Sequence, residues 1–254
     1  MGGVSSAPVP LWRRLLAEFL GSAFLAALVI GSGIAAQRLS PGQTGLELLE
    51  NAAATAVGLY VIILMFGPVS GGHFNPVVSF ADAAFGGLSW RDAAAYLPAQ
   101  VAGCIAGAVT ANLMFALPAV TISAKDRASG AHFLSEVIAT AGLLLVIFSL
   151  ARSGRARAAP AAVGAYIGAA YWFTSSTSFA NPAITVGRMF SDTFAGIAPS
   201  SVPSFIGAQI AGGVAAVAII KVLYPAITPA DAAAVVVPRG DDTAQTLERS
   251  VRDD

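Results

Sequence analysis

From Trp12 to Tyr224 the chain is made of apolar runs long enough to cross a bilayer, and this limits its fold more than any other feature. A helical run of about 20 residues spans the roughly 30 Å of hydrocarbon in a membrane. Six such spans can be read: Trp12–Ala36, Asn51–Gly67, Trp90–Leu117, Ala131–Ala151, Ala159–Thr174 and Val202–Tyr224. Hydrophobic residues make up 56% of the chain and charged residues 11%. A soluble domain carries roughly twice that charge, so the surplus apolar surface must face lipid. The first run reads as a span rather than a cleavable signal, because Leu15 to Ile34 is too long for a signal core and contains Glu18.

Two further apolar stretches, Pro76–Phe85 and Pro182–Phe190, are too short to cross. Each follows an Asn-Pro pair, Asn75-Pro76-Val77 in one half and Asn181-Pro182-Ala183 in the other. Proline suits the first turn of a helix, where no amide donor is missed. Asparagine is a good N-cap, and its side-chain amide can also face a solute. The stretches therefore read as re-entrant half-helices, which a membrane tolerates where protein surrounds the irregular backbone.

The halves repeat each other. Ala17-Glu18-Phe19-Leu20 opens span one and Ser135-Glu136-Val137-Ile138 opens span four. Ala99-Gln100-Val101-Ala102-Gly103 follows the first Asn-Pro, and Ala208-Gln209-Ile210-Ala211-Gly212 follows the second. Three spans per half is an odd number, so the second half sits inverted, and inverted repeats put the functional site at the midplane on broken helices. Two half-helix N-termini meeting there create a positive field, suited to passing neutral molecules and rejecting cations. Gly103 and Gly107, and Gly207, Gly212 and Gly213, are small residues suited to close helix crossings.

Charge bias orients the chain. With the N-terminus inside, Arg13, Arg14, Arg91, Arg152, Arg155, Arg157, Lys221, Arg239, Arg249 and Arg252 are cytoplasmic, and Arg38, Lys125, Arg127 and Arg188 lie outside. This asymmetry favours both termini in the cytoplasm. The expected organisation is a cytoplasmic segment 1–11, a channel domain 12–224 with repeats at about 12–117 and 131–224, and a cytoplasmic tail 225–254, expected to be mobile after Pro229.

Nothing points to catalysis. His73 and His132 lie in different halves, and the candidate buried carboxylates Glu18, Asp82 and Glu136 are on different elements. Cys104 is the single cysteine, which leaves no disulfide and no cysteine cluster for a metal. Zero net charge gives no support to nucleic-acid binding. No cofactor is expected.

Gly71-Gly72-His73-Phe74-Asn75-Pro76-Val77-Val78 resembles the first signature of the aquaporin, or major intrinsic protein, family, and Phe179-Ala180-Asn181-Pro182-Ala183 resembles the second. The resemblance covers roughly residues 12–224. It implies an all-α membrane protein of six transmembrane helices and two re-entrant half-helices, with one pore per subunit and a homotetramer in the cell membrane, here a bacterial inner membrane. It also implies that Asn75 and Asn181, with Pro76, Val77, Pro182 and Ala183, form the central constriction. Val77 stands where the family usually has alanine. Glu18 and Glu136, costly in a membrane unless partnered, are implied to brace the re-entrant loops. His73 is expected to pack on the loop before Asn75, with a pH gate as the weaker alternative, and Asp82 to face a helix contact rather than the pore.

The family's outer filter has four positions, including an arginine three residues after the second asparagine. Here that residue is Ile184, and ungapped counting puts the others at Thr55, Ala169 and Ser178. All are small or uncharged, which predicts a wide pore with little fixed charge. Arg188, one turn beyond Ile184, either guards the outer mouth or anchors the loop near Asp192. The segment from Phe179 to Ile197 resembles a bacterial branch associated with arsenic-resistance genes. The implied solutes are small uncharged molecules, metalloid hydroxides such as arsenite and polyols such as glycerol, together with water. The alternatives are a predominantly water-selective channel and, further off, an ion-coupled transporter on an inverted repeat.

Overall fold

Breaks in the backbone at Asn75 and Asn181 organise the whole molecule. The computed structural model describes residues 9–225 and Thr228; the rest of the expected terminal segments, 1–8 and most of 225–254, lies outside the described residues. The first half contains α1 (Leu11–Leu39), α2 (Thr44–Ser70), the short α3 (Pro76–Phe85) and α4 (Trp90–Met114). The second half repeats this as α5 (Gly130–Arg152), α6 (Ala159–Phe173), the shorter α7 (Pro182–Gly187) and α8 (Val202–Leu223). The chain belongs to the all-α membrane class, with two half-helices between its spans. Among the described residues five helices are long and apolar enough to cross a membrane, α8 counting its leading 3₁₀ turn from Pro199. The sixth expected span is α6, which has 15 residues after a 3₁₀ turn at Ala156–Ala158. The helices overrun the expected spans at several ends; α2 begins at Thr44 rather than Asn51 because Glu47 and Glu50 are taken up near its start.

Pseudo-symmetry is visible atom by atom. A Cβ on Gly103 of α4 would sit 2.3 Å from the Phe19 carbonyl oxygen of α1, and one on Gly212 of α8 would sit 2.5 Å from the Val137 oxygen of α5. Both glycines lie three residues after the glutamine of their half, and both carbonyls lie one residue after the glutamate. The α1–α4 and α5–α8 crossings are thus the same contact made twice, with backbones close enough to require glycine. Gly107 does the same against Ala23. Gly207 does not share this role: it is exposed and nothing lies within 4 Å of its would-be Cβ.

Each half-helix begins where its asparagine caps it. The Asn75 side-chain oxygen accepts from the Val77 amide, and that of Asn181 accepts from Ala183 and Ile184. Glycine at φ +85° ends α3 at Gly86, while α7 tightens after Gly187 into a 3₁₀ turn, Arg188–Phe190. Helices α3 and α7 point their N-termini at each other inside the bundle.

Candidate functional site

Two buried carboxylates hold the loops that lead into the half-helices. Glu18 accepts from the backbone amides of His73 (3.0 Å) and Phe74 (2.7 Å), from Ser70 Oγ (2.6 Å) and from Gln100 Nε2 (2.8 Å). Glu136 accepts from the amides of Phe179 (2.9 Å) and Ala180 (2.8 Å) and from Gln209 Nε2 (2.7 Å). Both are fully buried, and every partner is a donor, which is the arrangement a carboxylate needs away from water. The same glutamines also donate to a hydroxyl four residues after each asparagine, Gln100 to Ser79 and Gln209 to Thr185. Those hydroxyls donate back to the carbonyls of Asn75 and Asn181.

The two loops then clasp each other. Asn75 Nδ2 donates to the Ala180 carbonyl at 2.8 Å, and Asn181 Nδ2 donates to the Phe74 carbonyl at 2.7 Å. Phe74 and Ala180, the residues before the asparagines, both lie at φ +49°. This left-handed turn costs a non-glycine residue of order 1–3 kcal/mol. It sends the residue's N–H to a glutamate and its carbonyl to the opposite asparagine, and these bonds hold the strained geometry. Each asparagine amide spends one hydrogen on the clasp and has a second left over. Asn75 and Asn181 are 4% and 5% exposed, and both border one elongated internal cavity.

The walls of that cavity follow helical spacing. Thr55, Leu59 and Ile63 line it from α2, and Val163, Ile167 and Tyr171 line it from α6, each set at four-residue intervals along one face. Leu143 and Ile147 of α5 and Leu25 and Val29 of α1 add apolar wall. Polar lining comes from the two asparagines, His73, Thr55, Ser178, Tyr171 and Arg188.

Of the four expected filter positions, Thr55, Ser178 and Ile184 border the cavity, and Ala169 does not. Ala169 is exposed on the outside of α6. It lies two residues from both Ile167 and Tyr171, about 200° around the helix, so it faces away from the lining stripe. Counting back from Asn181 therefore lands two residues away from the lining stripe of α6. Tyr171 borders the cavity instead, with its hydroxyl 3.3 Å from Thr55 Oγ1. Among the lining residues Tyr171 thus brings an aromatic ring and Arg188 a charge. The α6 spacing of Val163, Ile167 and Tyr171 was the signal that could have identified Tyr171.

Arg188 is 2% exposed and lines the cavity. It does not bond Asp192, which instead accepts from Ser123 and Ala124. Arg188 Nε donates to the Ala195 carbonyl, and its guanidinium carbon stands 3.4 Å over the Phe179 ring centre. Arg127, in the loop between α4 and α5, lies 5.1 Å from the same ring and is tied to the carbonyls of Gly196 and Phe194. Burial, with Arg127 and Arg188 nearby, pulls the Lys125 ammonium of this loop down to about 8.

His73 sits on the loop before Asn75, as expected, and also lines the cavity. Its Nδ1 pairs with Ser79 Oγ at 3.0 Å, and its Nε2 lies 3.4 Å from Asp82 Oδ2. Asp82 is fully buried and does not border the cavity; its nearness to His73 follows from its place two turns down α3. Among the described residues no three His, Cys, Asp or Glu side chains gather where they would hold a metal ion.

Comparison with known proteins agrees with this geometry. The family model described as "Major intrinsic protein" matches residues 5–178. The chain is 48% identical over 217 residues to the aquaglyceroporin AqpS of Rhizobium meliloti, covering 85% of this chain and 92% of that protein. It is 32% identical over 275 aligned positions to the glycerol uptake facilitator protein of Pseudomonas aeruginosa, covering 90% and 96% respectively. The X-ray structure of the aquaglyceroporin from Plasmodium falciparum shares the fold at a TM-score of 0.66 and 22% identity, over 86% of this chain and 99% of that one.

Proposed function

The chain belongs to the major intrinsic protein family, and from that premise we propose that it is a passive membrane channel for small uncharged solutes and water. The observation that carries the reading is the asparagine clasp. Asn75 and Asn181 meet across the loops, each with one amide hydrogen left for a passing oxygen. The half-helix N-termini behind them disfavour cations at the same point. Neutral solutes with hydroxyl oxygens can exchange water for these donors, and Leu59 and Ile63 of α2 with Val163 and Ile167 of α6 give an apolar wall that offers nothing to hold them back.

Glycerol-sized polyols are the first solute class, in keeping with what the two bacterial relatives are named for. Neutral metalloid hydroxides such as arsenite are similar in size and hydrogen bonding, and the resemblance of residues 179–197 adds them. We read Asn75, Pro76, Val77, Asn181, Pro182 and Ala183 as the central constriction, and Thr55, Tyr171, Ser178 and Ile184 as the outer filter. Glu18 and Glu136 brace it. The family is one of channels, and no catalytic role is assigned. By the charge bias both termini are cytoplasmic, which puts the end carrying residues 115–129 and 188–201 outside, in a bacterial inner membrane, with four copies forming a homotetramer.

A predominantly water-selective channel is the second reading, favoured by the Thr55–Tyr171 contact across the filter. Light scattering from proteoliposomes separates the two. Purified protein should speed both water efflux and glycerol or arsenite entry over empty vesicles. Water flux alone would leave the second reading standing, and neither flux would end both.

A further inference from the structure

We propose that Asp82 is a positioning residue for the inner half of the channel: its charge holds the His73 ring against the wall, and when acid removes that charge the ring turns into the channel and narrows it. This rests on the channel reading above and adds a means of regulating it.

The internal repeat frames the comparison. Two residues before each asparagine stands a ring that borders the cavity, His73 in one half and Phe179 in the other. Seven residues after each asparagine stands a charged side chain that lies against that ring, Asp82 in one half and Arg188 in the other. The Phe179 ring does not titrate, and its guanidinium partner stays charged through neutral and acid pH. The His73 ring and its carboxylate both titrate. A fixed clamp and a titratable clamp thus occupy equivalent points on opposite sides of the asparagines.

Hydrogen counting gives the state of the titratable clamp. Ser79 Oγ has one hydrogen, which goes to the Asn75 carbonyl at 3.2 Å, and it accepts from Gln100 Nε2 at 3.0 Å. Its remaining lone pair faces His73 Nδ1 at 3.0 Å, so Nδ1 carries a hydrogen. The other ring nitrogen, Nε2, stands 3.4 Å from Asp82 Oδ2. That is an ion-pair distance, longer than a direct hydrogen bond, so charge does most of the holding. Asp82 is fully buried in the last turn of α3, where the helix dipole disfavours a carboxylate, and the imidazolium is the cation that compensates it. The other titratable groups around the ring have their own contacts. Glu18 of α1 takes the His73 and Phe74 amides. Tyr96 of α4 meets the ring edge-on at 5.6 Å and donates to the Ser70 carbonyl of α2. Arg14 of α1 lies beyond Tyr96, 6.0 Å from its ring centre, and pairs with Asp92 of α4.

Protonating Asp82 leaves a buried imidazolium without its counter-ion. Such a charge is costly where it stands and moves to water where it can. His73 already borders the channel, and the other ionisable groups of the lining, Tyr171 and Arg188, stand at the outer filter, so the water it reaches is the channel's own. Rotation about the side-chain bonds is enough, since Glu18 holds the backbone amide. The ring then takes up space beneath the asparagine clasp, where it obstructs a polyol more than water.

The test uses the full-length protein in proteoliposomes, with water efflux and glycerol entry followed by light scattering from about pH 7.5 to about pH 4.5. In wild-type protein both should fall with acid, glycerol entry to about half or less of its neutral rate and further than water. His73→Phe, which copies Phe179 of the other half, should conduct at neutral pH and lose the acid response. Asp82→Asn should move the response to higher pH, because no carboxylate remains to hold the ring once the imidazole is protonated. A side chain that only supports the fold would lower flux equally at every pH. Wild-type protein that conducts at one rate across the range overturns the proposal. So does a folded His73→Phe that still closes in acid, since the titrating group then lies elsewhere. Should His73→Phe fail to elute as folded protein, Asp82→Asn decides, and an acid profile identical to wild type counts against us. If glycerol is excluded at neutral pH, the same profile is read on water; if nothing passes at any pH, the channel reading fails and takes this inference with it.

Discussion

Replacing Glu136 by glutamine and by alanine should produce two graded losses, and the hydrogen bonds set the grading. Glu136 Oε1 accepts one bond, from the Phe179 amide; Oε2 accepts two, from the Ala180 amide and Gln209. Glutamine fills the same volume but presents a donor on one side. It will turn that donor toward Phe179, where a single bond is lost, at a cost of ~1.5–3 kcal/mol for a hydrogen bond to a charged acceptor. Alanine orphans both backbone amides, which cannot turn away as Gln209 can, for ~3–6 kcal/mol before any cavity is counted. At 1.4 kcal/mol per decade, glutamine should shift the folding equilibrium by about 10- to 100-fold, and alanine by at least the upper end of that range.

Thermal unfolding in mild detergent, read by intrinsic fluorescence, should rank the proteins wild type, Glu136→Gln, Glu136→Ala. Water flux per folded molecule should fall in the alanine variant, because the freed Ala180 carries the carbonyl that receives Asn75. Equal midpoints for glutamine and alanine would mean that the carboxylate does not hold this loop. By the internal symmetry, Glu18→Ala should match Glu136→Ala or exceed it, since Glu18 accepts four donors.

Other outcomes follow from the same geometry. Gly103→Ala and Gly212→Ala, which push a Cβ to 2.3 and 2.5 Å from backbone oxygens, should each destabilise by ~1–3 kcal/mol; Gly207→Ala, with open space around it, should be neutral or gain up to ~1 kcal/mol in helix propensity, and equal midpoints for all three would refute the packing argument. Tyr171→Ala should raise glycerol flux relative to water while Ala169→Phe leaves the ratio alone, and the reverse result would return Ala169 to the filter. Lys125, held at about 8 against an ordinary 10.5, binds fewer protons folded than unfolded between those values, so its burdening of the fold should ease as pH rises from 8 toward 10.5. The advantage of Lys125→Met in thermal midpoint should therefore shrink across that window; a constant gap would place the lysine in water. Wild-type vesicles should show no proton leak, and Asn75→Asp with Asn181→Asp should admit one by placing negative charge between the helix ends, although buried carboxylates will also lower the folded yield; a leaky wild type would reopen the coupled-transporter alternative.

The parts legible in the sequence were those fixed by short-range rules. Asn75-Pro76 and Asn181-Pro182 start helices because capping and proline geometry act within three residues, and both half-helices begin where those pairs stand. Glu18 and Glu136 announced themselves because a lone carboxylate in an apolar span demands partners, although the identity of the partners, two consecutive amides in each loop, needed the fold. Val77 shows how small departures resolve: its Cγ1 fills the space beside Gly213, whose missing side chain makes room for the bulk that alanine would not supply.

The filter was read less well because it is assembled from four separate segments whose offsets depend on loop length. An error of two residues on α6 turns a side chain by about 200°, from the channel to the outside, and that is the distance between Tyr171 and Ala169. The correction changes the physical picture of selectivity. Small residues at every position would have made the pore a sieve by width. With Tyr171 and Thr55 in contact across one wall and Arg188 laid on Phe179 along the other, the opening is bounded by groups that donate and accept hydrogen bonds. A solute then passes according to how well its oxygens replace the water it leaves behind, and the two asparagine amides further in ask for the same exchange a second time. On the proposed channel reading, discrimination by hydrogen bonding at two successive points would admit small polyols without admitting ions of equal size, since an ion would have to shed its hydration facing first the Arg188 guanidinium in the lining and then two helix N-termini.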